Sequence, residues 1–460
     1  MPGGYIPGTD EIDEQAAPTG SASYVWLVCG VAAIAGLLFG FDIAVINGAI
    51  VFLRVQFHLT DFETEFAVSS LLIGCIVGAA FAGWLSDRFG RKRVLAFSAL
   101  LFAISSLGAA LPHNFVEFSI ARFVGGIAIG VASVLAPMYI AEVSPARIRG
   151  RLVSLNQMAI VTGILLAYLV NWGLSYAGTA SWRWMFAAAI VPSLGLFFGL
   201  FFVPESPRWL MEQGRESDAH AVLSRVEGDE RASRQLVRIR EALAEEKSTF
   251  SDLLAPRLRK PLVLVVSLAI LQQITGINTV LFYGSIIWER QLGSHSHSAA
   301  IGANATIGLV NFVVTIAALW LIERSGRRSL LMFSSGCMAI CQLLLGLAFL
   351  FQPPPAALVL SAMLLCVAAF AIGLGPATWV LMAELFPTRV RGRAMSIANM
   401  ALWIACFVLT FSFLSLTHAI TITGAFVLYS VLCVVTFVLV WRAVPETKGK
   451  TLEEIEQMWK

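Results

Sequence analysis

Twelve apolar stretches alternate along the chain with short polar clusters. They centre near Leu38, Gly74, Ala103, Gly126, Leu165, Leu194, Ile274, Val310, Leu343, Phe370, Ile404 and Cys433. About twenty apolar residues in helical form cross the hydrocarbon core of a bilayer. Inside lipid each backbone N–H and C=O must find its partner within the protein, so each stretch is expected to be a helix. The period-two alternation that marks an outer-membrane barrel is not visible. The pattern predicts an all-α membrane protein with twelve transmembrane helices.

The polar clusters repeat. DRFGRKR at 87–93 returns as ERSGRRS at 323–329, an offset of 236 residues. AEVSPARIRGR at 141–151 returns as AELFPTRVRGR at 383–393, an offset of 242. PESPRWL at 204–210 is echoed more loosely by PETKGKTL at 445–452, an offset of 241. Three pairs in one order at nearly one spacing form an internal repeat. Six stretches separate the members of each pair, so both copies face the same side. The halves are therefore expected to be parallel repeats about an axis along the membrane normal, with a substrate site near the midplane between them. Charge sidedness alone would account for the Arg and Lys of these loops. It does not account for the glycine in each turn or for Glu142 and Glu384 at matching helix ends. Asp87, Arg88, Arg91, Glu142, Arg149, Glu205 and Arg208, with Glu323, Arg327, Glu384, Arg391 and Glu446, are expected to form an inter-helix ion-pair network that locks one conformation. Pairs near the interface are cheap to break during a cycle.

Composition agrees with the pattern: 58% of the 460 residues are hydrophobic and 13% charged, where a soluble chain carries about a quarter charged residues. The distribution of charge says more than the net value of +3. Seventeen Lys and Arg follow the second, fourth, eighth and tenth stretches or lie in the C-terminal tail. The opposite loops hold three, Arg54, Arg183 and Arg290, and residues 205–260 hold eleven more. Positive charge collects on the cytoplasmic side, so both termini and the central segment are expected there. GRESDAHAVLSRVEGD and RQLVRIREALAEEK within that segment read as short amphipathic helices. The expected division is a tail at 1–23, a six-helix half at 24–204, a linker at 205–260, a second half at 261–443 and a tail at 444–460. The acidic first 23 residues lack the features of a cleaved signal peptide. All seven cysteines (29, 75, 337, 341, 366, 406 and 433) fall inside apolar stretches, which suits buried small side chains better than disulfides or metal ligands.

Ionisable residues within membrane spans are functional candidates, because placing one at a helix centre costs about 2.5–3.5 kcal/mol on insertion scales. Asp42 in the first stretch and Arg122 in the fourth stand out. Counted from Arg54 and Phe115, they lie about 18 Å and about 11 Å below the outer ends of their helices, within reach of one another. Glu117 is a competing partner for Arg122, closer to the surface. A permanent structural ion pair is the plain alternative to a proton carrier. No histidine falls in a membrane-helix core, which argues against a histidine proton relay.

GLLFGFDIAVINGA, DRFGRKR, ARFVGGIAIG, PMYIAEVSPARIRG, PESPRWL, QQITGINTVLFYG, ERSGRRS, GPATWVLMAELFPTRVRGRAMS and PETKG together resemble the sugar porter family over residues 24–450. The resemblance implies a 6+6 major-facilitator fold with two pseudo-symmetric halves. In that family proton-coupled members carry Asp at the position of Asp42, while facilitators carry Asn. It therefore implies proton coupling through Asp42, modulated by Arg122. A sugar site needs amides, which both donate and accept, and aromatic faces for the ring. The resemblance places Gln157, Gln272, Gln273, Asn278, Asn311, Trp379 and Trp403 at that site; Phe39 and Tyr283 are further candidates, and Asn399, one turn before Trp403, is a candidate to replace hydrogen bonds lost elsewhere in the eleventh stretch. Gly276 can loosen the seventh stretch, and Gly373, Gly375 and Pro376 predict a broken tenth helix, which points to a binding site in carriers; close helix packing by these small residues is the alternative. Inter-helix hydrogen bonds are the alternative role for each amide, and packing or interface anchoring for each tryptophan. Phe282, Leu402 and Cys406 depart from the family pattern and bear on which sugar is taken.

The expectation is a secondary transporter importing a pentose or hexose with a proton by alternating access; a cyclitol such as myo-inositol is another candidate. No cofactor, metal or nucleic acid is implied, and the proton is the coupling ion. The partners are a sugar, a proton and the lipid bilayer, with the chain acting as a monomer in a bacterial inner membrane. An uncoupled uniporter, a drug–proton antiporter and a transporter-like sugar sensor are the rivals. An enzyme is not expected, since no nucleophile–base set, phosphate loop or metal-ligand spacing appears; the His pair of SHSHS at 294–298 suits at most adventitious metal binding.

Overall fold

The computed structural model describes residues 21–145, 148–245, 255–292, 297–386 and 388–448. The side chains of Glu323 and Arg391, and most of the SHSHS segment, lie outside the described residues. The described residues form helices and connecting turns, with no strand among them.

The first span is α1 (Ala22–Gln56). The second, α2 (Asp61–Phe89), opens on a capping box in which Thr60 and Glu63 satisfy each other's backbone N–H, fixing where the helix starts. Gly90 turns the chain into α3 (Arg91–Ala110). Asn114 caps α4 (Phe115–Val143), and α5 (Arg149–Leu174) follows. The sixth span is built from α6 (Ser181–Ala187), α7 (Ile190–Gly199) and a 3-10 turn at Leu200–Phe202. Three amphipathic helices follow, α8 (Pro207–Glu212), α9 (Glu216–Glu227) and α10 (Asp229–Glu245). They share a small core of Trp209, Leu210, Ala219, Leu223, Ala232 and Leu236. The seventh span is α11 (Pro256–Ile274) and α12 (Ile277–Leu292). The eighth and ninth are α13 (His297–Ser325) and α14 (Arg327–Ala348). The tenth is α15 (Ala356–Ile372) and α16 (Leu374–Glu384). Finally α17 (Thr388–Ala443) holds two spans, because Ile420 and Thr421 leave the helical region, with φ at −128° and 66°. The 11 continuous apolar helices thus amount to twelve crossings.

Small residues set the helix contacts within the first half. A Cβ on Gly40 of α1 would stand 1.8 Å from the Ile160 carbonyl oxygen of α5, and one on Gly126 of α4 would stand 2.0 Å from the Leu71 carbonyl oxygen of α2. Backbone meets backbone at both crossings. In lipid such close packing replaces the hydrophobic drive that water supplies elsewhere. The outer faces carry exposed Phe62, Phe81, Phe97, Ile104, Ile120 and Trp320. A belt of that kind would aggregate in water and suits a lipid surround.

Candidate functional site

Asp42 and Arg122 meet between α1 and α4. Arg122 Nη1 donates to Asp42 Oδ1 at 2.6 Å, and Nη2 reaches the Asp42 carbonyl at 3.5 Å. The Arg122 and Asp42 side chains are 2% and 5% exposed. The guanidinium also lies 5.4 Å from the ring centre of Phe186. Glu117 does not compete: it accepts from the His113 backbone N–H and the Asn114 amide, both at 2.9 Å. Asp42 Oδ2 makes no hydrogen bond among the described residues. One oxygen of the carboxylate is engaged and the other keeps lone pairs for a proton. Protonating this pair would strand a buried cation at a cost of several kcal/mol. Proton uptake here therefore demands that the packing around α1 and α4 change, so that Arg122 gains water or a new partner.

The broken spans assemble the amides. Gly276, at φ 86°, separates α11 from α12. A Cβ there would stand 2.5 Å from the Tyr429 ring and 2.6 Å from Gln342 Nε2, so the break needs glycine twice over. Its freed carbonyl, Thr275 O, accepts from Gln342 Nε2 at 2.8 Å. The tenth span breaks at Gly373, where the Leu374 N–H donates to Ser334 Oγ at 3.1 Å. Gln272 bridges the two breaks, donating to Leu374 O at 2.7 Å and Gly375 O at 3.3 Å. Asn278 Nδ2 donates to Gln273 Oε1 at 2.6 Å, and Gln273 Nε2 to Gln272 Oε1 at 3.3 Å. Three amides predicted from sequence thus form one oriented row ending on the broken tenth span. A hydroxyl that both donates and accepts can extend or replace any link in it.

The remaining candidates are spread over the first, fifth, seventh, eighth, tenth and eleventh spans. Phe39 and Trp403 pack edge to face, with ring centres 5.4 Å apart, and bring the first and eleventh spans together. Gln157 and Trp379 are part-buried. Asn311 and Asn399 are buried, and Asn399 Oδ1 has no hydrogen-bond partner among the described residues. No side-chain hydrogen bond joins Gln157, Asn311 or Trp379 to the amide row among the described residues. Tyr283 joins the seventh span to the eleventh. It is fully buried, its hydroxyl donates to Thr410 O at 2.7 Å and its ring lies 5.0 Å from Phe413. Its bonding capacity is used in holding α12 to the eleventh span. Phe282, Leu402 and Cys406 are buried too.

On the side that bears the termini one cluster is built twice. Arg91 lies 3.2 Å from Glu142, 3.4 Å from Glu212 and 3.5 Å from Asp87; Arg327 lies 2.9 Å from Glu384. Glu205 accepts the Lys92 N–H at 3.0 Å at the start of α3, and the Ser206 hydroxyl bonds Glu142. Glu446 accepts the Arg327 and Arg328 N–H groups at 3.0 and 3.2 Å at the start of α14, and the Thr447 hydroxyl bonds Glu384 at 2.6 Å. The repeated glycine has a direct cause. A Cβ on Gly90 or Gly326 would stand 2.3 or 2.5 Å from the Glu205 or Glu446 carboxylate. Burial pushes the Glu212 carboxyl above its ordinary range, against the pull of Arg91. Each cluster ties helices within one half. Arg208 joins the first cluster through Glu212 at 3.6 Å. Two expected members sit differently: Arg88 lies over the rings of Trp84 and Phe89, and Arg149 reaches the Ser144 carbonyl at 3.5 Å.

The end remote from the termini is closed by bonds between halves that sequence reasoning did not single out. Glu65, fully buried, accepts from the Ser415 N–H and hydroxyl, both at 2.7 Å. Asp61 lies 2.7 Å from His418. Tyr168 donates to Leu281 O at 2.9 Å, and Asn47 bonds both Leu281 and Ser285. Asn47 offered the signal that exposed Asp42, a lone polar residue inside an apolar run; Glu65 sits among Asp61, Glu63 and Thr64 at the polar start of its helix and offered none.

Broken helices that bring amides together in one of two repeated halves, with a buried ion pair in the other, are the parts of a major-facilitator membrane carrier. The chain belongs to the sugar (and other) transporter family, whose profile matches residues 28–459; that is a family of transporters, not enzymes. It is 39% identical to the D-xylose-proton symporter of Escherichia coli (strain K12), with 95% of this chain and 96% of that protein covered. It is 37% identical to the arabinose-proton symporter of Bacillus subtilis (strain 168), over the same shares. The solved structure of the major-facilitator proton:xylose symporter XylE bound to 6-bromo-6-deoxy-D-glucose matches with a TM-score of 0.83 at 38% identity, covering 95% of this chain and 100% of that one.

Proposed function

We propose that this protein imports a monosaccharide together with a proton by alternating access, as a monomer in a bacterial inner membrane with both termini cytoplasmic. Asp42 is the proton carrier and Arg122 its modulator. The row Asn278–Gln273–Gln272, with Phe39, Gln157, Asn311, Trp379, Asn399 and Trp403 around it, takes the sugar. The halves at 24–204 and 261–443 rock about this site, joined by the linker at 205–260. The remote end, closed here, is the outer one.

The observation that carries the reading is the buried Asp42–Arg122 pair, at 2.6 Å with one carboxylate oxygen unengaged. A permanent structural pair gains nothing from an unengaged oxygen, because a buried polar atom without a partner is costly. The symport of pentoses named for two relatives supports the same reading.

The test is uptake into proteoliposomes under an imposed pH gradient, acid outside, across pentoses, hexoses and inositols. Accumulation of one sugar class above equilibrium, abolished by a protonophore, is the expected result. Equilibration that ignores the gradient would make the protein a uniporter, and no uptake of any member would remove the sugar assignment.

A further inference from the structure

One inter-half contact has a particular registry. In an α-helix the carbonyl of Leu281 and the N–H of Ser285, four residues on, are partners of one another. Asn47 of α1 bonds both. Its Nδ2 donates to Leu281 O at 2.6 Å, and its Oδ1 accepts from the Ser285 N–H at 2.9 Å. The Ser285 hydroxyl donates to the same Oδ1 at 2.5 Å, and Asn304 of α13 donates to Ser285 Oγ at 3.0 Å. Asn47 is fully buried. Gly284 makes room for it: a Cβ there would stand 3.1 Å from Asn47 Nδ2 and 2.3 Å from Asn304 Oδ1.

We propose that Asn47 is a removable splice in the α12 hydrogen-bond ladder, inserted when the remote end is closed and withdrawn when it opens. Pulling apart a buried amide and a backbone normally leaves polar groups unsatisfied, which opposes opening. Here withdrawal leaves Leu281 O and the Ser285 N–H one helical turn apart, able to pair with each other. Asn47 and the Tyr168 hydroxyl of α5, which also donates to Leu281 O at 2.9 Å, lose their partners, and both move with the first half as water enters. Opening therefore costs only the bonds of these withdrawing side chains, and none of the α12 ladder, although the closed state is well bonded. The splice also has a mechanical position. Asn47 lies five residues after Asp42 on α1, and Asn171 of α5 grips the intervening turn through the carbonyls of Val45 at 3.1 Å and Ala44 at 3.4 Å. α12 carries Asn278 at its start. The residue thus joins the helix that bears the proton site to the helix that bears the sugar amides. It is a positioning residue, and its role in coupling rests on the transport reading above.

Hydrogen exchange read by mass spectrometry, on the full chain in lipid nanodiscs, tests the splice. Asn47→Ala should raise exchange at the remote end, at 52–62 and 411–418, and slow it at the opposite end, at 149–157 and 388–397. The population shift should be about tenfold, the effect of one or two lost hydrogen bonds. Amides 282–286 should stay protected, because the ladder closes on itself. Ser285→Ala, which removes only the hydroxyl, should shift the same segments in the same directions by less. Faster exchange at 282–286 with both ends unchanged would make Asn47 an ordinary inter-helix bond and overturn the proposal, as would a uniform rise along the whole chain. Sugar-driven proton flux in the unmodified protein is the separate control. Its absence would sink the transport reading without altering what the exchange pattern says about the splice.

Discussion

At the scale of single residues, chemistry and packing divide the polar side chains between them. Asn278 heads the amide row, and Asn278→Ala removes its bond to Gln273. Loss of one hydrogen bond of about 1–1.5 kcal/mol predicts about a tenfold rise in sugar Kd, measurable by titration calorimetry in detergent. Tyr283→Phe removes a hydroxyl that is bound to Thr410 O, and it should leave the sugar Kd nearly unchanged while lowering stability by about 1 kcal/mol. A Kd change as large as that of Asn278→Ala would return Tyr283 to the sugar site. Asp42, Arg122 and the amides were legible in the sequence because a polar group in an apolar run is costly and so conspicuous. Tyr283 was not. The break at Gly276 resets the helical phase, so the spacing from Gln273 no longer tells which face a later residue takes. Asn47 carried the same signal as Asp42, but a polar side chain in one run does not say that its partner lies hundreds of residues away; Glu65 was hidden among the neighbouring acids Asp61 and Glu63.

At the scale of helices, contacts without side chains do much of the positioning. Gly40 and Gly126 admit no Cβ. Gly40→Ala is expected to force α1 off α5 and to cost at least about 1–3 kcal/mol, as overpacking does, seen as a lower thermal midpoint and loss of the monodisperse peak. The Glu205 and Glu446 carboxylates cap the starts of α3 and α14 in the same way. Glu205→Ala and Glu446→Ala should therefore each cost about 1 kcal/mol, again read as thermal midpoint. A large effect from one and none from the other would mean that the repeated motif does different work in the two halves. Twelve apolar runs marked the spans and Gly373 the break in the tenth, because glycine marks backbone that side chains exclude; Gly276 suggested a loosened seventh span, which the structure separates into α11 and α12. The division of α17 at Ile420 and Thr421 is marked by neither glycine nor proline. Only the length of the apolar run required it, since 56 residues are too many for one crossing.

At the scale of the whole molecule, the repeated clusters hold each half together, and the bonds of Asn47, Glu65, Asp61 and Tyr168 hold the remote end shut. Such an arrangement lets rigid halves move against one another while a few polar bonds decide which end is open. Proton uptake belongs at this scale too, because Asp42 cannot be neutralised without repacking around Arg122. The central claim is that this carboxylate couples sugar movement to proton movement. The most direct measurement is external pH on adding sugar to proteoliposomes, for the unmodified protein and for Asp42→Asn, with sugar exchange followed in both. The account predicts alkalinisation of the medium by the unmodified protein, and none by Asp42→Asn, while exchange persists. Alkalinisation of equal size in Asp42→Asn, or sugar exchange without any proton signal in the unmodified protein, would contradict it.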